Sequence, residues 1–281
     1  MTRGSQVIAR TDADAVAESD DWRIWLARLR TAEWRTPIFF EIVSREIDTR
    51  SGARRPTVLD IGCGLGFDCE VRYQQALSTQ AGRFIGIEPD SAIEPPKFFS
   101  EVYHTTLEQA PIAPGSVDVA YAVMVLEHVA DPAAFWSRLH EILAPGGVFV
   151  AFSVNGAHWF APIARFMSIT KLKTKYLDLL QGKRGTERYE DYPVYYRTNT
   201  VRQISRYARQ FRALRMDLFG ATGNVASYAP RPLQPMVRAV DSLAYRLLEH
   251  PSTSRSAPSA RSRRPTVGRR DSRTSARIRQ T

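Results

Sequence analysis

The chain has 281 residues, 43% of them hydrophobic and 24% charged, which predicts one medium-sized domain with appendages. No apolar run reaches the roughly 18 residues that a membrane-spanning helix needs. Two cysteines, Cys63 and Cys69, are too few for a disulfide framework or a four-ligand zinc site. Integral membrane and secreted proteins are therefore disfavoured, and we expect a cytoplasmic protein.

The net charge of +10 is distributed unevenly along the chain. Residues 251–281 carry nine arginines and one acid, Asp271, so that this tail has a net charge of +8 and the remainder only +2. The tail has few apolar residues, and we expect it to be disordered. Two interpretations of the tail remain open: a C-terminal segment that is not under functional selection, or an arm that contacts RNA, DNA or anionic lipid. The nearly neutral remainder disfavours nucleic acid as the main partner.

Two amphipathic helices are predicted near the N terminus. We expect residues 1–19 to be disordered, and Asp20 or Asp21 to cap the first helix. Apolar residues recur at spacings of three and four in both helices, which are separated at Pro37. The apolar residues of the first are Trp22, Trp25, Leu26 and Leu29, and those of the second are Phe39, Val43 and Ile47.

From Thr57 onward, apolar runs alternate with helical stretches. The runs are TVLDI, RFIGIE, EVYH, SVDVAYAVM and GGVFVAFSV. This alternation predicts an α/β fold, in which a mostly parallel sheet has helices on both faces. Further along, residues 132–143 form a predicted helix, Thr200 and Gln203 form a capping box, and residues 213–219 form a short strand.

The chain divides into a core and an insertion. Residues 20–154 form the predicted core with its N-terminal helices, and residues 155–197 form a helical, aromatic-rich cap inserted after the fifth strand. Residues 198–250 complete the core and end in a helix. No strand is predicted after residue 219, so either the sheet ends one strand short or a partner chain supplies its edge.

The stretch DIGCGLG, from Asp60 to Gly66, joins a buried strand to a helix through a glycine-rich turn. Glycine lets the backbone bend sharply and lets a ligand lie against it. The spacing differs from G-x-G-x-x-G because the residue three after Gly64 is Phe67. Glu88 ends the next strand, where a carboxylate can accept hydrogen bonds from both ribose hydroxyls. An acid at position 60 suits a ligand with a positive amine better than a pyrophosphate.

These motifs, together with SVDVAYAVMVLEHV and LAPGGVFV, resemble those of the S-adenosylmethionine-dependent methyltransferases of the Rossmann-like group. The resemblance extends from about Asp48 to Val154. It implies a doubly wound Rossmann-like sheet, with S-adenosyl-L-methionine as the cofactor.

The resemblance also implies the residues that hold this cofactor. Asp60 and the glycine turn would hold the methionine part, and Glu88 would hold the ribose. Leu107 and Glu108 would border the adenine, and Val123 and Met124 would lie beneath the sulfonium. The turn residues are Gly62, Cys63, Gly64 and Gly66. One departure is Thr106, where many relatives have an aspartate that can accept from the adenine amino group.

Methyl transfer depends mainly on alignment, which can contribute about 7 to 11 kcal/mol. A hydroxyl acceptor also needs a base, for which His128 is the first candidate and His158 the second. Alternatively, His128 hydrogen-bonds the following turn and His158 only lines the pocket. We expect acceptor contacts from the cap residues Trp159, Tyr195, Tyr196 and Arg197. The histidines show no metal-ligand spacing, so no metal is expected.

The predicted activity is methyl transfer from S-adenosylmethionine to a small molecule, at an oxygen of a sugar, lipid-linked or secondary-metabolite acceptor. Two alternatives remain open: a nucleic-acid methyltransferase that uses the basic tail, and a non-catalytic nucleoside-binding scaffold. No transmembrane segment is expected, and contact with a membrane surface is left open. A dehydrogenase is disfavoured because the glycine spacing and Asp60 both disagree with a pyrophosphate site.

Overall fold

The structure is a computed structural model that describes residues 4–10, 20–30, 33, 35–64, 66–67, 70–170, 192–219 and 229–248. Its strands are β1 (Gly4–Arg10), β2 (Thr57–Ile61), β3 (Arg83–Ile87), β4 (Glu101–Tyr103), β5 (Val117–Val123), β6 (Leu143–Val154) and β7 (Ala213–Phe219). Its helices are α1 (Asp20–Arg30), α2 (Arg35–Asp48), α3 (Val71–Gln80), α4 (Pro132–Ile142), α5 (Phe160–Ile169), α6 (Val201–Tyr207) and α7 (Gln234–Leu248).

The strands form one sheet in the order β4-β3-β2-β5-β6-β1-β7. The five strands from β2 to β6 pair in parallel, which confirms the predicted α/β fold with a mostly parallel sheet. Their carboxyl ends therefore meet at one edge of the sheet, where ligands bind in open α/β folds. The glycine turn, Glu88 and His128 all follow strands at this edge.

The N-terminal segment corrects two predictions. Residues 4–10 are not disordered but form β1, which lies between β6 and β7 and pairs antiparallel with both: Gly4 pairs with Val154 on one side and with Phe219 on the other. The strand missing from the sequence-based prediction is therefore supplied by the chain itself and not by a partner. The position of β1 between β6 and β7 is favoured because β1 pairs the backbone N–H and C=O groups along the facing edges of these two strands.

The sheet separates two apolar layers. On one face, α1 and α2 pack against residues that include Tyr121 and Phe152. On the other face, α4 and α6 pack around the fully buried Trp136. The indole N–H of Trp136 donates to Thr198 Oγ1 at 2.8 Å. The predicted helices are confirmed, except that Pro37 lies inside the first turn of α2 instead of before it, where a missing N–H costs nothing.

The capping box at the start of α6 is present: the Thr200 side chain accepts from the backbone N–H of Gln203, whose side chain accepts from the N–H of Thr200. Of the predicted cap (155–197), the structure describes residues 155–170, which include α5, and residues 192–197. The rest of the cap (171–191), residues 11–19 and the basic tail (251–281) lie outside the described residues. Among the residues described, no helix is both long and apolar enough to cross a bilayer.

Candidate active site

The glycine turn after β2 brings three strand ends together. The N–H groups of Gly62 and Cys63 both donate to the carbonyl of Ile87 at the end of β3, at 2.8 and 2.9 Å. Gly62 has a φ of +76°, and a Cβ there would lie 2.5 Å from a methyl carbon of Val125 beyond β5. A side chain at position 62 would therefore push the ends of β2 and β5 apart.

Asp60 is buried at the end of β2, with 2% of its surface exposed. Its Oδ2 accepts hydrogen bonds from the Tyr121 hydroxyl at 2.6 Å and from Gln74 Nε2 at 2.7 Å. The pKa of Asp60 is raised to about 7. Burial is the main cause, and the nearby carboxylate of Glu88 also raises the pKa, whereas the two hydrogen bonds lower it. Tyr121 and Gln74 were not identified from the sequence.

Gln74 connects Asp60 to the glycine turn. The same Nε2 that donates to Asp60 also donates to the carbonyl of Cys63 at 2.6 Å. Its Oε1 is buried and has no hydrogen-bond partner among the described residues. A buried acceptor without a donor costs free energy, so this atom is a candidate partner for a donor beside the turn.

Glu88 lies against the glycine turn, as the sequence predicts. Its Oε2 accepts from the N–H of Gly64 at 3.0 Å and its Oε1 from the N–H of Asp90 at 2.9 Å. A Cβ at position 64 would lie 2.8 Å from Oε2, so glycine is what allows this approach. Burial raises the pKa of Glu88, while the two backbone hydrogen bonds lower it.

The residues expected to border adenine and sulfonium differ in accessibility. Leu107 is buried in the core and Glu108 is half-buried, whereas Thr106 is exposed. Met124 follows β5 with a φ of +57°, a conformation that costs free energy in residues other than glycine. Its N–H donates to the carbonyl of Phe152 at 2.8 Å, so the backbone just past the half-buried Val123 is held in place by β6.

Residues 192–197, here called the strap, connect the loops that follow β3 and β5. At one end the Tyr192 hydroxyl donates to Asp90 Oδ2 at 3.1 Å. At the other end, two consecutive N–H groups donate to the carbonyl of Glu127: Tyr195 at 2.8 Å and Tyr196, which has a φ of +49°, at 3.2 Å. The strap therefore crosses the sheet edge where the candidate cofactor residues lie.

Glu127 is buried, with 3% of its surface exposed, and is not a solvated acid. Its Oε2 accepts from the Ser153 hydroxyl at 2.7 Å, and Ser153 Oγ accepts from Asn199 Nδ2 at 2.6 Å. This hydrogen-bond network joins the loop after β5 to β6 and to the segment that leads into α6. It fixes the carbonyl on which the strap is anchored.

His128 is positioned by the strap. Its Nδ1 lies 2.7 Å from the carbonyl oxygen of Pro193, and its ring meets that of Tyr192 edge-on, with 5.9 Å between centroids. A carbonyl can only accept, so Nδ1 carries the hydrogen and Nε2 of the neutral ring carries a lone pair. The geometry leaves Nε2 able to accept a proton, which is what a general base needs.

His158 and Trp159 are engaged elsewhere. His158 Nε2 lies 3.1 Å from Asp241 Oδ1, and its Nδ1 accepts from the N–H of Phe160 at 3.3 Å. The Trp159 indole donates to the same Asp241 oxygen at 3.0 Å. Both ring nitrogens of His158 are thus in hydrogen bonds, which favours anchoring of α7 over proton transfer, and we retain His128 as the candidate base.

Arg197 is the exposed last residue of the strap. Its Nη1 donates to the carbonyl of Ala130 at 2.6 Å, and its guanidinium lies 5.3 Å from the centre of the Tyr195 ring. It borders a groove of about 450 Å³ with Arg206 and Tyr207. In the part of the chain that the structure describes, no group of three or more His, Cys, Asp or Glu residues could hold a metal ion.

Comparison with known proteins identifies the family. The model of a methyltransferase-domain family matches residues 32–186, more than half of the chain, and the chain belongs to this family. It is therefore a member of a methyltransferase family, and the relatives that it matches include a probable S-adenosylmethionine-dependent methyltransferase.

The relatives are similar over part of their length. A ubiquinone biosynthesis O-methyltransferase of Pseudomonas paraeruginosa is 35% identical over 114 residues, which cover 39% of this chain and 49% of that protein. The enzyme of the same name from a Bradyrhizobium species is 32% identical over 125 residues, covering 41% and 46%. The chain spans about half the length of the curated relatives it matches.

Among solved structures, an S-adenosylmethionine-dependent methyltransferase of Mesorhizobium loti matches with a TM-score of 0.30 and 20% identity, covering 48% of this chain and 52% of that one. A geranyl diphosphate C-methyltransferase of Streptomyces coelicolor matches with a TM-score of 0.33 and 17% identity, covering 51% and 55%.

Proposed function

We propose that this methyltransferase acts on an oxygen atom of a small-molecule acceptor, in a sugar, lipid-linked or secondary-metabolite compound. The observation that carries the proposal is the contact of His128 Nδ1 with the Pro193 carbonyl at 2.7 Å, which in the neutral ring places the hydrogen on Nδ1 and the lone pair on Nε2. A hydroxyl acceptor must lose its proton during methyl transfer, and a positioned base accelerates such a step roughly a hundredfold to ten-thousandfold. The O-methyltransferases among the relatives support this choice of atom.

The residues beside the glycine turn fit S-adenosylmethionine. The ligand is a cation with an ammonium group and two ribose hydroxyls, so it needs hydrogen-bond acceptors and a negative field. Asp60 and Glu88 supply two carboxyl groups at the ends of neighbouring strands, and the buried Oε1 of Gln74 is an acceptor without a donor among the described residues. We assign the methionine part to Asp60 and the turn, and the ribose to Glu88.

The other cofactor contacts belong to the same proposal. Leu107 and Glu108 follow β4 and are assigned to the adenine side, and Val123 and Met124 end β5 and are assigned to the sulfonium side. The held backbone at Met124 supports this assignment, since strained residues cluster at binding sites.

When bound, the cofactor supplies an electrophilic methyl group. The protein's part is to hold the acceptor in line, exclude water and remove the acceptor's proton. The strap covers the sheet edge and excludes water. His128 takes the proton at Nε2, and its Nδ1–H bond to the Pro193 carbonyl stabilises the imidazolium that results.

Among the acceptor contacts predicted from the sequence, Tyr195 and Tyr196 keep that assignment. Both are half-buried, and their N–H groups are fixed on the carbonyl of Glu127, so their rings present a rigid apolar surface with a polar tip. Trp159 and Arg197 are hydrogen-bonded to Asp241 and to the Ala130 carbonyl; we assign them to the periphery of the acceptor site.

The proposal is tested by identifying the methylated atom. A metabolite extract is incubated with the protein and isotopically labelled S-adenosylmethionine, and labelled products are identified by mass spectrometry and NMR. We expect a methyl ether or ester on a small molecule. Label found only on nitrogen, carbon or nucleic acid would refute the choice of acceptor while leaving the methyltransferase assignment intact.

A further inference from the structure

Helix α7 and the turn before it carry an exposed apolar stripe. Leu233, Met236, Val240 and Leu243 expose 46%, 59%, 46% and 57% of their surface. Their spacings of three, four and three place them on one face of a helix. Large exposed apolar groups are common singly, but a contiguous row marks a contact surface. We call these four residues the α7 stripe.

The opposite side of α7 is fixed to the protein body. Asp241 is buried, with 3% of its surface exposed, and its Oδ1 accepts hydrogen bonds from His158 and Trp159. Those two residues follow β6, so α7 is held at the carboxyl edge of the parallel strands, the edge that carries the candidate active site. The α7 stripe therefore faces outward because Asp241 faces inward.

A second exposed apolar element begins at the same place. Helix α5 starts directly after Trp159, and its residues Ile163 and Phe166 expose 46% and 62% of their surface. Both helices that meet at the Asp241 contact thus present large apolar side chains to the outside.

The charge around the stripe is positive. The exposed charged residues in the described part of the α7 region, Arg231 and Arg238, are both cationic, and its one acid, Asp241, is buried and hydrogen-bonded. The segment that follows the helix, residues 249–281, has nine arginines and two acids, Glu249 and Asp271. An apolar stripe next to cationic groups matches the chemistry of an anionic lipid surface, whose acyl boundary takes the apolar face and whose headgroups attract arginine.

Two other partners fit less well. Nucleic acid is bound by basic grooves with aromatic side chains on which bases stack, whereas the α7 stripe is aliphatic and its arginines lie outside it. A second copy of the chain would bring the same cationic groups together, so that charge opposes pairing through this face.

We propose that the α7 stripe docks this methyltransferase on the surface of membranes that contain anionic lipids. Docking through α7 brings the sheet edge with the strap and His128 towards the bilayer. This inference stands on the stripe, its anchoring and its charge, and holds whichever atom is methylated.

The test is flotation of the full-length protein with lipid vesicles. Vesicles of phosphatidylcholine alone are compared with vesicles of phosphatidylcholine and phosphatidylglycerol, at low and at high salt. The test variant is Met236→Gln with Leu243→Gln, which replaces two exposed side chains without changing the charge. The matched control is Ser242→Gln, a half-buried residue of the same helix that is not spaced three or four residues from any member of the stripe.

We expect binding to the phosphatidylglycerol vesicles that weakens with salt, and a reduction of at least about tenfold in the double variant but not in the control. Circular dichroism verifies that all three proteins are folded. Absence of vesicle binding, or equal binding by the double variant, would overturn the proposal. Self-association in light scattering that the double variant abolishes would assign the stripe to a second copy and also overturn it.

Discussion

The hydroxyl of Tyr192 donates to Asp90 Oδ2 at 3.1 Å, two residues beyond Glu88, whose own Oε1 accepts from the N–H of Asp90. The strap is therefore bonded to the same loop that holds the ribose-binding carboxylate of the proposal. Because this contact closes the strap over the sheet edge, the cofactor site and the position of His128 are physically connected. Changing one end should affect the other.

We predict that Tyr192→Phe raises the KM for S-adenosylmethionine about tenfold, since a hydrogen bond to a charged group contributes about 1.5 to 3 kcal/mol. Steady-state kinetics measure this. The matched control is Tyr207→Phe, a half-buried tyrosine of α6 whose hydroxyl has no hydrogen bond among the described residues. An unchanged KM in Tyr192→Phe, or an equal rise in the control, would contradict the role of the strap.

We predict that His128→Asn lowers kcat roughly a hundredfold to ten-thousandfold, because Nε2 accepts the acceptor's proton in the proposed mechanism. Because the amide N–H of asparagine can still donate to the Pro193 carbonyl and keep the strap in place, cofactor affinity should be nearly unchanged, which calorimetric titration with S-adenosylmethionine measures. The control is His140→Asn, an exposed histidine of α4. A kcat reduced less than threefold would remove the general base from the mechanism and leave alignment as its main device.

The pKa of Asp60, raised to about 7 from 3.8, predicts a pH dependence of stability. The folded protein holds this proton between those values and the unfolded chain does not, so the free energy of unfolding falls as pH rises through the window. One such group contributes up to about 1.4 kcal/mol per pH unit.

Asp60→Asn removes this titration while keeping the shape of the side chain. Urea denaturation at pH 5 and pH 7 should show a smaller loss of stability for the variant than for the unaltered protein. Glu88, whose pKa is also raised by burial, contributes in the same direction in both proteins, so the difference between them reports Asp60 together with its coupling to Glu88. Identical pH dependence in the two proteins would show that Asp60 is ionised throughout.

Alanine substitutions at three glycines distinguish the cost of backbone strain from the cost of steric overlap. Gly52 has open space where a Cβ would lie and an ordinary φ, Gly115 has open space but a φ of +63°, and Gly62 has both a φ of +76° and a clash with Val125. We predict that alanine is nearly neutral at 52, costs about 1 to 2 kcal/mol at 115 and costs more at 62. Thermal denaturation ranks the stabilities of the three variants. Equal losses of stability at positions 62 and 115 would show that the Val125 side chain moves aside without a measurable cost.

The position of β1 predicts sensitivity to proline at its centre. Val7 pairs with Ala151 of β6 on one side and Met216 of β7 on the other, and proline cannot donate to either neighbour. Val7→Pro should lower the free energy of unfolding by about 3 kcal/mol or more, and by more than Val7→Ala, which keeps the backbone N–H. A Tm unchanged by proline would show that β1 is dispensable.

The fold was predictable where the local sequence of a strand or turn is sufficient to identify it. The strands from β2 to β6 are continuous apolar runs, and the glycine turn with Glu88 follows from local spacing. β1 was missed because the short segment GSQVIAR has too little periodicity to stand out, and it is stabilised only by strands far along the chain. Local pattern carries no information about such pairing.

The site was predictable only in part for the same reason. His128 is visible beside a strand end, but the Pro193 carbonyl that fixes its tautomer lies 65 residues away. Tyr121 stands inside an apolar run and is indistinguishable there from a core aromatic, although its hydroxyl contacts Asp60. Glu127 reads as a surface acid until its contact with Ser153 is known. Contacts between distant segments decide these roles.

The position of β1 between β6 and β7 also constrains how the protein is made. Both neighbours of β1 are synthesised after it, and the second of these, Ala213–Phe219, lies far along the chain. In the nascent chain β1 therefore stays unpaired on that side until β7 has emerged. Pairing over such a separation is slow, and during that delay the open gap between β6 and β7 is a template for strands of other molecules.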